Sequence, residues 1–249
     1  MAMKTLSITQ NATDFVGDIN SNFGELAAAI GSGQGAIIAG GSWHSLGTSI
    51  TWYNNNVSSA FTKGYQTRVM ERITFTAFKN KGVNGGCMGG SGGLGDNAGS
   101  IVEAADYVTI EHGVNDWGHS IPVGTLADFM NDTGVGTFYG AYRKVIDAIY
   151  SKKASAKIIL CTPRKAYGFN GYLPSSWYEA KDGIYLKDYA DAVIEIAKGL
   201  SVPVCDWFNE SETNQYNLAA NSIDTALHPN DDGYQKMANL LVSTFGKIL

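Results

Sequence analysis

The chain has 249 residues, 44% of them apolar, which suits one large domain that needs neither disulfides nor a structural metal to hold its core. Its 18 Lys and Arg against 23 Asp and Glu leave a net charge of -5 with no basic run, so a nucleic-acid partner is not expected. No apolar stretch approaches the roughly 18 residues of a membrane span, Met1 to Gln10 lacks the apolar run of a signal peptide, and nothing assigns a location.

From Thr13 to Ile30 the residues Phe15, Val16, Ile19, Phe23, Leu26, Ala27 and Ile30 recur at helical spacing, and Gly31 to Gly35 reads as a linker. Residues 1–35 are thus expected to form a helical appendage. Its apolar face must be covered by the domain or by another chain, which leaves self-association or attachment open. Residues 36–249 form the main domain. Strands are expected at Trp43 to Leu46, Ile73 to Phe78, Tyr107 to Ile110, Lys157 to Cys161 and Val202 to Phe208. Helices are expected at Gly64 to Arg72, Gly99 to Ala105, Thr137 to Lys152, Tyr185 to Gly199 and Gly233 to Lys247. Strands alternating with helices predict a three-layer αβα sandwich around a five-stranded parallel sheet. Glycine is in excess, 30 residues, and nine of them fall between Gly82 and Gly99, a tight backbone-rich loop. Cys87, Cys161 and Cys205 form no C-x-x-C pair, and neither a metal nor a cofactor is expected.

In such a sheet ligands collect beyond the carboxyl ends of the strands. Four segments fall there: Gly47-Thr48-Ser49-Ile50-Thr51, Asn80 to Gly86, Gly113-Val114-Asn115-Asp116, and Asp224 to Asn230 before the last helix. In order and separation they resemble the four blocks of the SGNH, or GDSL, hydrolase family. Thr48 stands where the family has Asp, and Asp224 precedes His228 by four residues where the family has three. The second block matches as Asn80 to Gly85, and His228-Pro229-Asn230 with Gly233-Tyr234 matches the last.

The resemblance implies a flavodoxin-like fold and a serine ester hydrolase. It makes Ser49 the nucleophile, His228 the base and Asp224 its acid partner. The oxyanion donors carried over are the N–H of Ser49, the N–H of Gly85 and the side-chain amide of Asn115, with Gly86 as a one-residue alternative. The chemistry asks for the same residue types. A serine hydroxyl needs a base, an imidazole can serve at neutral pH, and a carboxylate fixes its tautomer. Fixed donors at a developing oxyanion are typically worth about 3 to 4 kcal/mol each. Ser42, after Gly40-Gly41, is a rival nucleophile without the following Ile-Thr. His44, His112 and His119 read as packing or rim residues.

Trp52 and Tyr53, directly after the nucleophile block, and Tyr172 and Trp177, in an aromatic loop after the fourth strand, are candidate sugar-stacking residues. The alternative for that loop is a packed lid. Polar aromatic loops suit a short acyl group on a carbohydrate better than a long acyl chain, so the expected partner is a small ester or acylated carbohydrate. Two other readings stand beside it: a non-catalytic glycan-binding or attachment module, and a lipase or phospholipase on the same residues.

Overall fold

A computed structural model describes residues 37–55, 61–166, 182–214, 216–224 and 227–249. The expected appendage and linker, residues 1–35, lie outside them.

Strands β1 (Ile37–Ile38) and β3 (Ile73–Thr74) form a small parallel pair. The main sheet consists of β2 (Ser42–Gly47), β4 (Ala77–Gly82), β5 (Tyr107–Glu111), β6 (Lys157–Cys161) and β7 (Val204–Cys205). All its pairings are parallel, in the order β4-β2-β5-β6-β7. The chain therefore reverses its direction of travel across the sheet between β2 and β5. That reversal opens a crevice at their carboxyl ends.

Side-chain alternation builds the layers. Along β6, Ile158 and Leu160 enter one core while Ile159 and Cys161 enter the other. The first core is closed by α6 (Phe138–Lys152) and α7 (Leu186–Leu200), through Val145, Ile149, Val193 and Ile196. The second is closed by α2 (Tyr65–Met70) and α9 (Asp231–Phe245), through Tyr65, Val69, Leu241 and Phe245. The expected sandwich is the fold observed. Short helices α1 (Ser49–Trp52), α3 (Ala98–Ile101), α4 (Val114–Gly118), α5 (Leu126–Met130) and α8 (Trp207–Glu210) fill the connections.

Three expected elements end well away from where the structure ends them. The run Ile73 to Phe78 divides into β3 and the start of β4, which continues through Lys79, Asn80 and Lys81 to Gly82. This is an edge strand whose lysines pair with Glu103, so its composition reads as a loop. The helix expected to Ala105 ends at Ile101, because Val102 is already extended. The strand expected to Phe208 stops at Cys205, where Asp206 accepts the Asn209 N–H and starts α8.

Among the described residues no helix is long and apolar enough to cross a membrane.

Candidate active site

Strand β2 delivers its last residue, Gly47, to the crevice, and the chain turns through Thr48 into α1. Thr48 caps that helix, its Oγ1 accepting the Ile50 N–H at 3.3 Å. The turn is too tight for a side chain at Gly47, where a Cβ would lie 2.1 Å from Thr51 Oγ1. Ser49, the first residue of α1, is held beside His228 at the start of the last helix. Ser49 Oγ lies 2.9 Å from His228 Nε2.

The segment bearing His228 is fixed from both ends. Ile223 N–H donates to His228 O at 2.9 Å, and Asn230 caps α9 by accepting the Gly233 N–H at 3.0 Å. Asp224 Oδ2 lies 2.5 Å from His228 Nδ1, while its Oδ1 accepts the N–H groups of Leu227 and His228 at 2.8 and 2.9 Å. The backbone thus folds back onto the carboxylate, which accommodates the four-residue separation. Partial burial works against the charged form of Asp224, but the His228 ring and these N–H groups hold its pKa down at about 2. An ionised carboxylate only accepts, so Nδ1 carries the proton and Nε2 is left to accept from Ser49. Tyr53 packs edge-on against the His228 ring, with centroids 5.0 Å apart, and Trp52 meets Tyr53 edge-on at 5.2 Å. Tyr53 therefore also braces the imidazole.

The second and third blocks meet each other through Asn115. Asn115, on α4, donates from Nδ2 to Gly86 O at 2.9 Å, which occupies one of its two amide protons. Gly86 N–H closes a turn onto Val83 O at 2.9 Å. The Gly85 N–H has no acceptor among the described residues, which favours Gly85 over Gly86 as the available donor. Gly85 has φ +72°, and a Cβ there would meet no atom, so backbone conformation is what calls for glycine. Buried Asp116 ties the glycine-rich loop down, accepting the N–H groups of Met88 and Gly89, each at 2.9 Å. Burial pushes the Asp116 carboxyl up to about 6.

Ser42 sits at the opposite end of β2, where its N–H and hydroxyl both donate to Asp106, at 2.8 and 2.9 Å. It takes no part in this cluster. Tyr172 and Trp177 lie outside the described residues. His44 and His112 are buried and His119 caps the end of α4.

Two buried charges had no role in the sequence reading. Glu111, the last residue of β5, lies directly across from Gly47 in the sheet and accepts from Thr48 and Thr51. Arg164 donates to Asn221 O at 2.9 Å, Ser222 Oγ at 3.0 Å and Leu227 O at 3.4 Å, clasping the segment that carries Asp224 and His228. A pairing between segments some 60 residues apart leaves no periodic trace. The one available signal was a charged residue at the end of an apolar strand.

The sequence profile of the GDSL-like lipase/acylhydrolase family matches residues 45–236, and the chain belongs to that family of ester-bond hydrolases. No curated protein matches the chain. Among solved structures, one described as a possible lipase from Chitinophaga pinensis is 26% identical, with a TM-score of 0.70 over 84% of this chain and 98% of that one. A Lactobacillus plantarum protein shares the fold at 22% identity and a TM-score of 0.70, covering 84% of this chain and 97% of its own. The lipase/acylhydrolase from Enterococcus faecalis does so at 18% and 0.55, covering 84% and 96%.

Proposed function

We propose that this hydrolase is a serine esterase that removes short acyl groups, acetyl foremost, from a carbohydrate through an acyl-enzyme. The observation that carries the reading is the hydrogen-bonded line from Asp224 through His228 to Ser49. In it His228 Nε2 takes the Ser49 proton as Oγ attacks the ester carbonyl carbon. The carbonyl π electrons pass to oxygen, where the N–H groups of Ser49 and Gly85 and the Asn115 amide can receive the charge. Collapse of the intermediate breaks the bond to the alcohol, which leaves with the proton from Nε2. Water then repeats the sequence on the acyl-enzyme, releasing the acid and restoring Ser49.

The carbohydrate part of the reading is supported by a cleft beside Gly85 and by the aromatic residues that follow Ser49. A cleft of about 410 Å³ adjoins Gly85 and Gly86, lined largely by glycine backbone with His119 and Ile121. Peptide groups suit a hydroxyl-rich alcohol, whereas a long alkyl chain needs apolar side chains to cover it. Trp52 and Tyr53 add aromatic faces next to Ser49.

The test is a series of p-nitrophenyl esters from acetate to decanoate, together with an acetylated oligosaccharide. The reading expects kcat/KM to fall as the acyl chain lengthens and acetate to be released from the saccharide. A rise with chain length would instead favour a lipase.

A further inference from the structure

The strongest unexplained feature is a polar cluster sealed beneath the nucleophile turn. Glu111 is 1% exposed. Its Oε2 accepts the Thr48 N–H at 3.0 Å, the Thr48 hydroxyl at 2.8 Å and the Thr51 hydroxyl at 3.1 Å. Thr51 also hydrogen-bonds the Tyr65 phenol at 2.9 Å, and that phenol reaches Ser45 Oγ at 2.8 Å. One carboxylate on β5 thus holds the residues on both sides of Ser49. It also holds the peptide group just ahead of the Ser49 N–H.

We infer that Glu111 is a positioning residue for ester hydrolysis, fixing through Thr48 and Thr51 the direction in which Ser49 presents its Oγ and its N–H. The inference rests on the reading of Ser49 as nucleophile. Three features support a role beyond ordinary packing. Among the described residues no cation pairs with the carboxylate, so no ion-pair energy offsets its burial. Every hydrogen bond it accepts among the described residues comes from this turn. And among the described residues no other charged group bonds the turn from below: Thr48 offers a neutral hydroxyl where the family name itself places an aspartate. The carboxyl group under the nucleophile is therefore supplied across the sheet, from a strand 60 residues further on. Preorganisation of this kind acts on the transition state, because an oxyanion donor and an attacking oxygen that wander lose alignment before they lose substrate contacts.

The test uses the full chain and four variants: Glu111→Ala, Glu111→Gln, Thr48→Asp, and Thr48→Asp combined with Glu111→Gln. Glu111→Ala should lower kcat for p-nitrophenyl acetate by at least about tenfold while KM stays within about threefold. Glu111→Gln, which keeps an acceptor for the Thr48 N–H, should recover most of that loss. Thr48→Asp alone sets two carboxylates against each other and should cost activity. Adding Glu111→Gln lets the amide donate to the new carboxylate and should restore it, so the two changes are strongly non-additive. Amide hydrogen exchange at Thr48 and Ser49 is read in parallel and should accelerate in Glu111→Ala. Equal kcat in wild type and Glu111→Ala, simple additivity in the cycle, or unchanged exchange at both amides would each overturn the inference. If the wild type and Ser49→Ala hydrolyse the ester equally, the reading of Ser49 fails instead. Exchange then still decides whether Glu111 holds the turn.

Discussion

The phenol of Tyr234, on the last helix, donates to the carbonyl of Ile50, the residue after Ser49, at 3.0 Å and fully buried. The bond joins segments 184 residues apart and makes the position of α9, and so of His228, depend on α1. Tyr234→Phe leaves the Ile50 carbonyl without this donor. It should cost about 1 to 3 kcal/mol of stability. Turnover should fall by only a few-fold, since no reacting group is removed. Chemical denaturation and steady-state kinetics on the same preparation check both.

Arg164 makes a prediction about the opposite side of the site. Its guanidinium is buried, with a pKa lowered by that burial to about 10, and it donates to Asn221, Ser222 and Leu227. Arg164→Met keeps much of the volume but leaves those oxygens short of donors. The expected loss is about 2 to 4 kcal/mol of stability, with a drop in kcat larger than any change in KM. A Tm equal to that of the wild type would contradict the clasp.

Glu111 also leaves a mark on the pH dependence of stability. Burial raises its pKa to about 7, although Thr48 and Thr51 donate to it. Between about pH 4.3, the ordinary glutamate value, and about pH 7 the folded state therefore binds a proton that the unfolded state has released. The contribution is fully present below about pH 4.3 and is lost as pH rises through about 7. Asp116, raised to about 6, acts in the same direction. His112, lowered by burial to about 3, acts oppositely between about pH 3 and about pH 6.5, which is why the difference between proteins is the cleaner measure. The Tm of Glu111→Gln minus that of wild type should grow more positive from about pH 5 to about pH 8. A constant difference would show that Glu111 titrates as it does in the unfolded chain.

Cys87 lies in the glycine-rich loop beside the cleft, and burial together with Asp116 pushes its thiol up to about 12. It is protonated at neutral pH and a poor nucleophile. Iodoacetamide at neutral pH should leave ester turnover unchanged; rapid inactivation traced to Cys87 would contradict its protonated state.

The sequence made the architecture legible where chemistry is local. The alternation within Lys157 to Cys161 and the helical periods of Thr137 to Lys152 and Tyr185 to Gly199 lie within a residue of the observed elements. Residues Ser49, Gly85, Asn115, Asp224 and His228 could be singled out because each lies in one of the four short segments that resemble the family's blocks. The edge strand Ala77–Gly82 was obscured because one of its sides has no partner strand among the described residues, so lysines are tolerated on it. The roles of Glu111 and Arg164 were hidden for a different reason: they depend on which loop folds over them. Tyr53 was legible as an aromatic beside the nucleophile, but its packing on His228 required the three-dimensional closure of α1 against α9.

The most direct measurement is p-nitrophenyl acetate turnover by wild type, Ser49→Ala, His228→Ala and Ser42→Ala, with covalent labelling by a fluorophosphonate located by mass spectrometry. The account predicts one label, on Ser49, and a loss of at least about a thousandfold in kcat for both Ser49→Ala and His228→Ala, with Ser42→Ala close to wild type. Turnover retained in Ser49→Ala, or a label on another residue, would contradict it.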